Sequence, residues 1–352
     1  MLFRSLDSIA QLFFEYKTHN TSIKLGRFLF ESALTKSNDT KMIPNSFEGI
    51  SLKSRYFDNT EIKLAYLTQM KLRDHSRFHH ILAYGDDAND KYSKYNQNDD
   101  SAMHRGLTQS KLNARGIDDR LLVLDVRDKS IDDLYINLNI TAVPQLVSSA
   151  MIELGYNYLS NGYQISPAFK YMHQFDNGAG EIGGANLKNI TTGYTNPKSV
   201  EGDMLASRVD ISHDEWRLRF GYSHIFDKGD LITPWRGFPT GGYTRAMGQY
   251  NWYANTSSYM IQANYNFDKA GLIPDMSAYI RYVIQDFDDK KVGVQADNKI
   301  LTLDIIQKLS SNIYLKARTA LNRAKTNIIT SDGSIKPDSS YNEFRLELNY
   351  LF

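Results

Sequence analysis

The chain has 352 residues, no cysteine and a formal net charge of +1 at pH 7. The absence of cysteine excludes a disulfide scaffold and any cysteine-ligated metal site, and the even charge balance argues against a nucleic-acid-binding protein, which would carry a basic stripe. Tyrosine occurs 23 times and phenylalanine 17 times, as is typical of β-strands and of the aromatic belts of membrane barrels. No run of 18 apolar residues is present, so we expect no transmembrane helix.

Alternation of apolar and polar residues with a period of two recurs along the whole chain and predicts β-strands. Most of these segments are long enough for a tilted strand that crosses a membrane. The fifteen predicted strands are 8–17, 21–29, 47–57, 60–74, 119–127, 131–141, 146–158, 163–175, 202–212, 214–226, 256–268, 274–288, 297–309, 311–326 and 340–352.

The last predicted strand shows the pattern most clearly. Phe344, Leu346 and Leu348 lie on one face of 340–352, and the residues between them are charged. An aromatic face toward lipid and a charged face toward a wet lumen are typical of an outer-membrane barrel. The closing strand of a soluble β-sandwich would show the same alternation, so the pattern alone leaves both folds open.

The lengths of the connections favour the barrel. Short links alternate with long ones without a break, as the tight periplasmic turns and long outer loops of such barrels do. We therefore predict an all-β fold, an antiparallel transmembrane β-barrel that forms a single domain over 1–352. The long links are 30–46, 75–118, 176–201, 227–255 and 327–339, and 142–145 and 289–296 are short links in the same series.

The strand count gives a further expectation. Single-chain bacterial barrels have an even number of strands, and the start of the chain, MLFRSLDSIAQ, lacks the ordered parts of an export signal. We therefore expect that an odd number of N-terminal strands, and a signal peptide, precede this sequence in the native protein.

Several short motifs, in order along the chain, resemble the OprD family of outer-membrane porins. The first are Gly26-Arg27 and the run MIPNSFEG at 42–49, although Phe28 stands where the family has glutamine. The resemblance implies a mostly monomeric porin of eighteen strands, of which three are absent here. The other matching segments are Pro234-Trp235-Arg236-Gly237, Tyr265-Asn266-Phe267, 271–274, Arg281-Tyr282 and 342–346.

The resemblance also implies two loops that fold inward and narrow the channel, 30–46 and 227–255. Constriction candidates on them are Lys36, Ser37, Asp39, Lys41, Arg236 and Arg245. It further implies a ladder of basic side chains in the lumen, and we select candidates by their alternation with apolar neighbours. These are Arg55, Lys71, Arg73, Lys170, Arg208, Arg217, Arg219, Arg281, Lys316, Arg318 and Arg345.

Carboxylates should share the lumen with this ladder. They would pair with some of the cations or bind a substrate amine, and the simpler interpretation is that most of these charges only keep the lumen wet and pair with one another. The predicted carboxylates are Glu153, Asp210, Asp304, Glu343 and Glu347.

The predicted function is passive uptake of small polar solutes, such as carboxylates or amino acids, through the outer membrane. We expect no cofactor, no metal and no enzymatic activity. Expected partners are the solutes, outer-membrane lipid and lipopolysaccharide, and the barrel-assembly machinery through the C-terminal strand. Alternatives are a structural or adhesive barrel and, with less support, a barrel hydrolase.

Three other signals carry little weight. The glycines of 178–183 fit a dinucleotide-binding pattern, but no helical pattern follows them. His75, His79, His80 and His104 could ligate a metal, but they lie in a polar loop-like segment. His173 and His224 alternate in register with tyrosines, so we expect them to face lipid.

Overall fold

The computed structural model describes residues 9–37, 43–73, 75–86, 105–247 and 250–350, and these are almost entirely β-structure. Two short helices, α1 (Gln109–Asn113) and α2 (Ala179–Gly183), lie in the links between strands. The strands are β1 (Leu12–Lys17), β2 (Thr21–Phe28), β3 (Ser46–Ser54), β4 (Thr60–Lys71), β5 (Leu121–Asp128), β6 (Leu134–Val143), β7 (Val147–Tyr156), β8 (Tyr158–Ser160), β9 (Tyr163–Asp176), β10 (Gly202–His213), β11 (Trp216–Ile225), β12 (Thr256–Asn266), β13 (Met276–Asp286), β14 (Asn298–Lys308), β15 (Ile313–Ala324) and β16 (Tyr341–Tyr350).

The strands form one antiparallel sheet in which neighbours in the sequence are neighbours in space. The hydrogen-bonded path runs from β1 to β16 in chain order, and only β8 lies off it, paired with β9. β8 follows β7 after a break at Asn157, so the predicted strand 146–158 is one strand interrupted near its end. The path without β8 therefore contains the fifteen predicted strands.

The short links are tight turns built on asparagine and aspartate. Asn59, Asp133, Asn161 and Asp214 adopt positive φ angles of 60°, 61°, 50° and 39°. These residue types tolerate the left-handed region better than other side chains, because their short polar groups bond to the local backbone. The Asn161-Gly162 pair between β8 and β9 is the sequence most typical of a two-residue hairpin.

The long links carry more regular structure than the sequence predicts. The glycines of 178–183 are not followed by a helical pattern in the sequence, and within them Ala179–Gly183 forms the single turn α2. A glycine-rich segment has almost no intrinsic tendency to form a helix, and here the Asp176 carboxylate accepts hydrogen bonds from the backbone N–H groups of Gly178 and Gly180. Those bonds satisfy amides at the start of the turn.

By its contacts the chain divides into two compact units. Unit 1 comprises residues 1–153, 172–203 and 228–239, and unit 2 comprises residues 154–171, 204–227 and 240–352. The prediction of a single domain stays a prediction. No helix among the described residues is long and apolar enough to cross a membrane.

Each unit has its own core under its long links. In unit 1, Leu34, Ile81 and Trp235 are at most 2 % exposed. In unit 2, Met260, Val283 and Ile300 pack with Ala246 of the β11–β12 link. Apolar burial of this kind, rather than the strands themselves, therefore fixes these loops against the sheet.

Candidate functional site

The sheet presents one apolar and one polar face, and the strand register shows this directly. Phe220, Ile261, Tyr282 and Leu301 are consecutive partners across β11 to β14, and each is between 37 and 46 % exposed. The exposed row is an apolar belt of the type that meets lipid. We call this side the apolar face.

The neighbouring row points to the other side, which we call the polar face. Arg219 pairs in register with Gln262, Gln262 with Arg281, and Arg281 with Thr302. Each of these residues directly precedes or follows a member of the apolar row. The alternation that selected the ladder candidates thus places them together on one face.

Three of the ladder cations in unit 2 are paired with carboxylates. Arg219 binds Asp210 with an Nη2–Oδ2 distance of 2.7 Å. Arg318 binds Asp304 through Nε and Nη2 at 2.8 and 2.6 Å. In the Arg219 pair, Nε and Nη2 reach Oδ1 and Oδ2 separately, which is the forked and strongest form of the arginine–carboxylate pair. Both Arg318 donors share the single oxygen Oδ2 of Asp304.

The third pair lies on the last strand. Arg345 Nη2 lies 2.6 Å from Glu343, and Arg345 Nη1 lies 3.7 Å from Glu347. The predicted carboxylate Glu153 is in unit 1, where it accepts a hydrogen bond from the Tyr135 hydroxyl at 3.3 Å.

A second group of cations holds a loop of the β11–β12 link. Tyr243 is 1 % exposed, and its ring receives Lys170 Nζ at 4.6 Å and the Arg208 guanidinium at 5.0 Å from the ring centre. Arg208 and Arg219 each donate to the Gly242 carbonyl oxygen at 3.0 Å. We call residues 240–245, held in this way, the Tyr243 loop.

The sheet itself makes room for this loop at Gly221. A Cβ atom at position 221 would overlap the carbonyl oxygen of Tyr243. Next to this contact, the hydroxyls of Ser223 and Thr244 are 2.6 Å apart. The loop therefore lies directly on the polar face of β11.

The predicted constriction residue Arg245 follows in the same loop. Its carbonyl oxygen accepts a hydrogen bond from Arg281 at 2.9 Å, and its guanidinium lies 5.6 Å from the Tyr250 ring centre and 5.8 Å from that of Trp252. Arg281 also donates to Gln262 at 2.7 Å. Both arginines thus hold the β11–β12 link against the polar face.

Two further ladder cations of unit 2 form no ion pair with a carboxylate among the described residues. Neither Arg217 nor Lys316 has a carboxylate within ion-pair distance among the described residues. Arg217 is exposed and Lys316 is half-buried. The charges of these two side chains are therefore not compensated by an ion pair among the described residues.

In unit 1, the two predicted constriction loops meet. Lys36 N–H donates to the Trp235 carbonyl, and Gly237 N–H donates to the Leu34 carbonyl, both at 3.0 Å. Thr35 and Arg236 form the β-bridge between these two bonds. A side chain at position 237 would overlap the Leu34 backbone, so the two loops form one small, tightly packed ribbon.

The predicted constriction side chains on this ribbon have different surroundings. Lys36 Nζ is 3.6 Å from Glu31, and Ser37 is largely buried. Arg236 is 6 % exposed, has a φ of 68° and lies over the ring of Phe238. Asp39 and Lys41 lie outside the described residues.

The three ladder candidates of unit 1 lie at the ends of β3 and β4. Arg55 Nη2 binds Glu61 at 2.6 Å. Lys71 is fully buried and donates to the Pro44 carbonyl at 2.8 Å, and Arg73 is half-buried beyond the end of β4. Lys71 therefore serves the packing of the adjoining loop.

Four lysines on the polar face of β1 to β4 are absent from the ladder that the sequence predicts. They lie around a cavity of about 510 Å³ that Arg55 also lines. Two of them, Lys53 and Lys63, share the Glu61 carboxylate at 3.0 and 3.3 Å. The same alternation that selected the other candidates could have found Lys17, Lys24, Lys53 and Lys63.

The first third of the described sequence is similar to a known family of membrane proteins. Residues 8–107 match the sequence model of the family described as outer membrane porin, OprD family. This part of the chain is therefore similar in sequence to the OprD-family porins. A search among curated proteins found no match.

Solved porin structures show the same fold along nearly the whole chain. OpdQ of Pseudomonas aeruginosa superposes with a TM-score of 0.70 at 16 % identity, covering 96 % of this chain and 79 % of OpdQ. OccAB2 of Acinetobacter baumannii gives 0.69 at 17 % identity, with 96 % and 75 % covered. The structure of P. aeruginosa OpdK with vanillate gives 0.71 at 12 % identity, with 96 % and 77 % covered.

These findings confirm the predicted fold class and localisation. The porin is an all-β, antiparallel transmembrane barrel protein of the outer membrane. The family and its structural relatives are channels and not enzymes, which confirms the prediction that the chain is not an enzyme.

The histidines singled out in the sequence contact neighbouring side chains of the protein. His173 Nδ1 lies 2.6 Å from Asp203, and His224 Nδ1 lies 2.9 Å from the Ser257 hydroxyl. Both histidines lie on the apolar face, as predicted. The rings of His75 and His79 are 4.9 Å apart, but the described residues contain no group of three or more side chains placed to hold a metal ion. His104 lies outside the described residues.

Proposed function

We propose that this porin is a passive channel for small polar solutes that carry a carboxylate, such as organic acids or amino acids. The observation that carries the proposal is the charge of the polar face in unit 2. Four carboxylates on that face, at positions 210, 304, 343 and 347, oppose eight ladder cations. The eight cations are Lys170, Arg208, Arg217, Arg219, Arg281, Lys316, Arg318 and Arg345.

An excess of fixed positive charge on a low-dielectric wall attracts anions. The field of such a wall is focused by its surroundings, so the local concentration of a carboxylate rises and its entry accelerates. Because no bond is made or broken, selectivity comes from charge and from the width of the path.

The cations differ in how much of their charge remains available. Arg219, Arg318 and Arg345 are neutralised locally by carboxylates. Lys170 and Arg208 face the Tyr243 ring. In our proposal Arg217 and Lys316 therefore act most directly on a solute.

A structural relative supports the class of solute. The OpdK structure contains vanillate, an aromatic carboxylate. That structure shows that a protein of this fold accommodates such an anion.

The test is the double variant Arg217→Gln/Lys316→Gln in planar bilayers. Under a salt gradient, the reversal potential of the wild-type porin should indicate preference for the anion. The double variant should reduce the anion-to-cation permeability ratio several-fold, because two unpaired charges are removed from the wall.

A matched control removes two positive charges elsewhere. Lys129 and Lys269 are exposed lysines in short turns, so Lys129→Gln/Lys269→Gln should leave the permeability ratio almost unchanged. An unaltered ratio in the Arg217/Lys316 variant would contradict the proposed wall. Absence of channels in the wild-type protein would favour the structural or adhesive barrel instead.

A further inference from the structure

The apolar face of unit 2 ends, on β14 and β15, in two cations that lie directly opposite each other. Leu301 and Leu321 are register partners on this face, and the next outward pair along the strands is Lys299 and Arg323. Both cations are exposed. Directly opposite residues of an antiparallel pair have Cα atoms about 4.5–5.5 Å apart, so both charged groups can reach one small anion.

No carboxylate compensates this pair within the protein. Among the described residues, neither side chain has an ion-pair partner. On β13 the register partner of Lys299 is the apolar Ile284. Like charges directly opposite each other destabilise a strand pair, so a bound anion would stabilise this arrangement.

The nearest acidic residues lie one step farther toward the long links. Lys325 engages two of them, with Nζ at 3.6 Å from Asp289 and 3.5 Å from Asp297. Asp286 ends β13 on the same side of the sheet. These charges belong to the loop region, whereas Lys299 and Arg323 lie at the boundary of the apolar belt.

The position of the pair identifies the source of the anion. Lys299 is near the start of β14, after the link 287–297, and Arg323 is near the end of β15, before the link 325–340. This is the long-link end of the strands, which faces the cell exterior in outer-membrane barrels. At this height the apolar belt gives way to the head groups of the outer leaflet.

We propose that Lys299 and Arg323 form a binding site for a phosphate group of the outer-leaflet glycolipid, lipopolysaccharide. Arg323 supplies a planar fork that matches phosphate oxygens, and Lys299 supplies a second point charge. Arg323 also donates to the Asn342 side-chain oxygen at 2.8 Å, which fixes the guanidinium and leaves the Asn342 amide nitrogen as a further donor. Neighbouring acyl chains lie along Leu301 and Leu321.

Native mass spectrometry of the purified porin in detergent tests this site with three lipids. These are bisphosphorylated lipid A, the same lipid A without its phosphates, and phosphatidylglycerol. The variants are Lys299→Ser/Arg323→Ser, the conservative Arg323→Lys, and the control Lys129→Ser/Lys269→Ser. Heat-modifiable electrophoretic mobility verifies that each variant is a folded barrel.

Wild-type porin should bind bisphosphorylated lipid A, and the Lys299/Arg323 double variant should bind it about 30-fold more weakly, since each basic residue at an anionic membrane surface contributes about 1 kcal/mol. The control should bind like the wild type within about threefold. Arg323→Lys keeps the charge but loses the fork, so its affinity should lie between those of the wild type and the double variant. Equal affinity of the double variant and the wild type would overturn the site. Equally tight binding of the phosphate-free lipid A would show that the site does not recognise a phosphate group. Equally tight binding of phosphatidylglycerol would show that the site does not select the glycolipid.

Discussion

The Tyr243 loop should control the width of the path along the polar face, and replacement of its aromatic ring tests this. Tyr243→Leu removes the contacts of Lys170 and Arg208 with the ring, at 4.6 and 5.0 Å. Each contact contributes about 0.5–2 kcal/mol, depending on how dry its site is. The loop therefore loses about 2 kcal/mol of its attachment, which changes the ratio of attached to detached loop by a factor of about 30.

The expected result is a larger and noisier single-channel conductance. The assay should be made at high salt, where the screening length is short and fixed charges have little influence on the current. Under these conditions a change in conductance reports a change in width. Tyr243→Phe keeps the ring and both cation contacts, so it should conduct like the wild type.

A second variant reaches the same loop without touching a charge or an aromatic ring. Gly221→Ala introduces a Cβ atom that would overlap the Tyr243 carbonyl oxygen. The loop must move away from β11, and the conductance at high salt should change in the same direction as in Tyr243→Leu. Wild-type conductance in both Tyr243→Leu and Gly221→Ala would refute the reasoning.

Three further predictions concern the neighbouring contacts. Gly237→Ala should separate the two loops of unit 1, because its Cβ atom would overlap the Leu34 backbone, and faster proteolysis of the folded porin would show this, with Tyr243→Phe as the unaffected control. Asp304→Asn leaves Arg318 without its carboxylate and should lower the free energy of unfolding in urea by about 2 kcal/mol; an unchanged midpoint would contradict this. Burial lowers the pKa of His79 to about 3. Between its ordinary pKa near 6.5 and about 3, only the opened loop binds the proton, so opening of the loop, measured by hydrogen exchange, should increase as the pH falls through this range. This increase should be absent in His79→Phe.

The sequence was sufficient for the strands and for the face on which each side chain lies. Alternation depends only on the pleat, so it located β11 and β14 to within two residues of their observed ends. The break between β7 and β8 at Asn157 has no such signal, because the alternation continues across it. The link lengths also predicted tight turns and long loops, because the length of a link is likewise read directly from the sequence between two strands.

The partners of the ladder cations could not be predicted in the same way. Lys170 and Arg217 look alike in sequence, since both alternate with aromatic or apolar neighbours. Lys170 lies against Tyr243, a residue 73 positions away, whereas Arg217 has no ion-pair partner among the described residues. This difference depends on how a long loop folds back onto the wall, and a period-two pattern contains no information about that contact.

In the proposed function, one group of ladder cations holds a loop and another acts on the solute, so the width of the path and its charge are coupled through the first group. A cation that holds a loop, such as Arg208, contacts both the Tyr243 ring and the Gly242 carbonyl. Its neutralisation should therefore alter conductance at high salt and anion preference at low salt together. Neutralisation of Arg217 should alter only the anion preference, because no described loop rests on its side chain. Equal behaviour of Arg208→Gln and Arg217→Gln in both measurements would show that the two groups of cations do not differ in function.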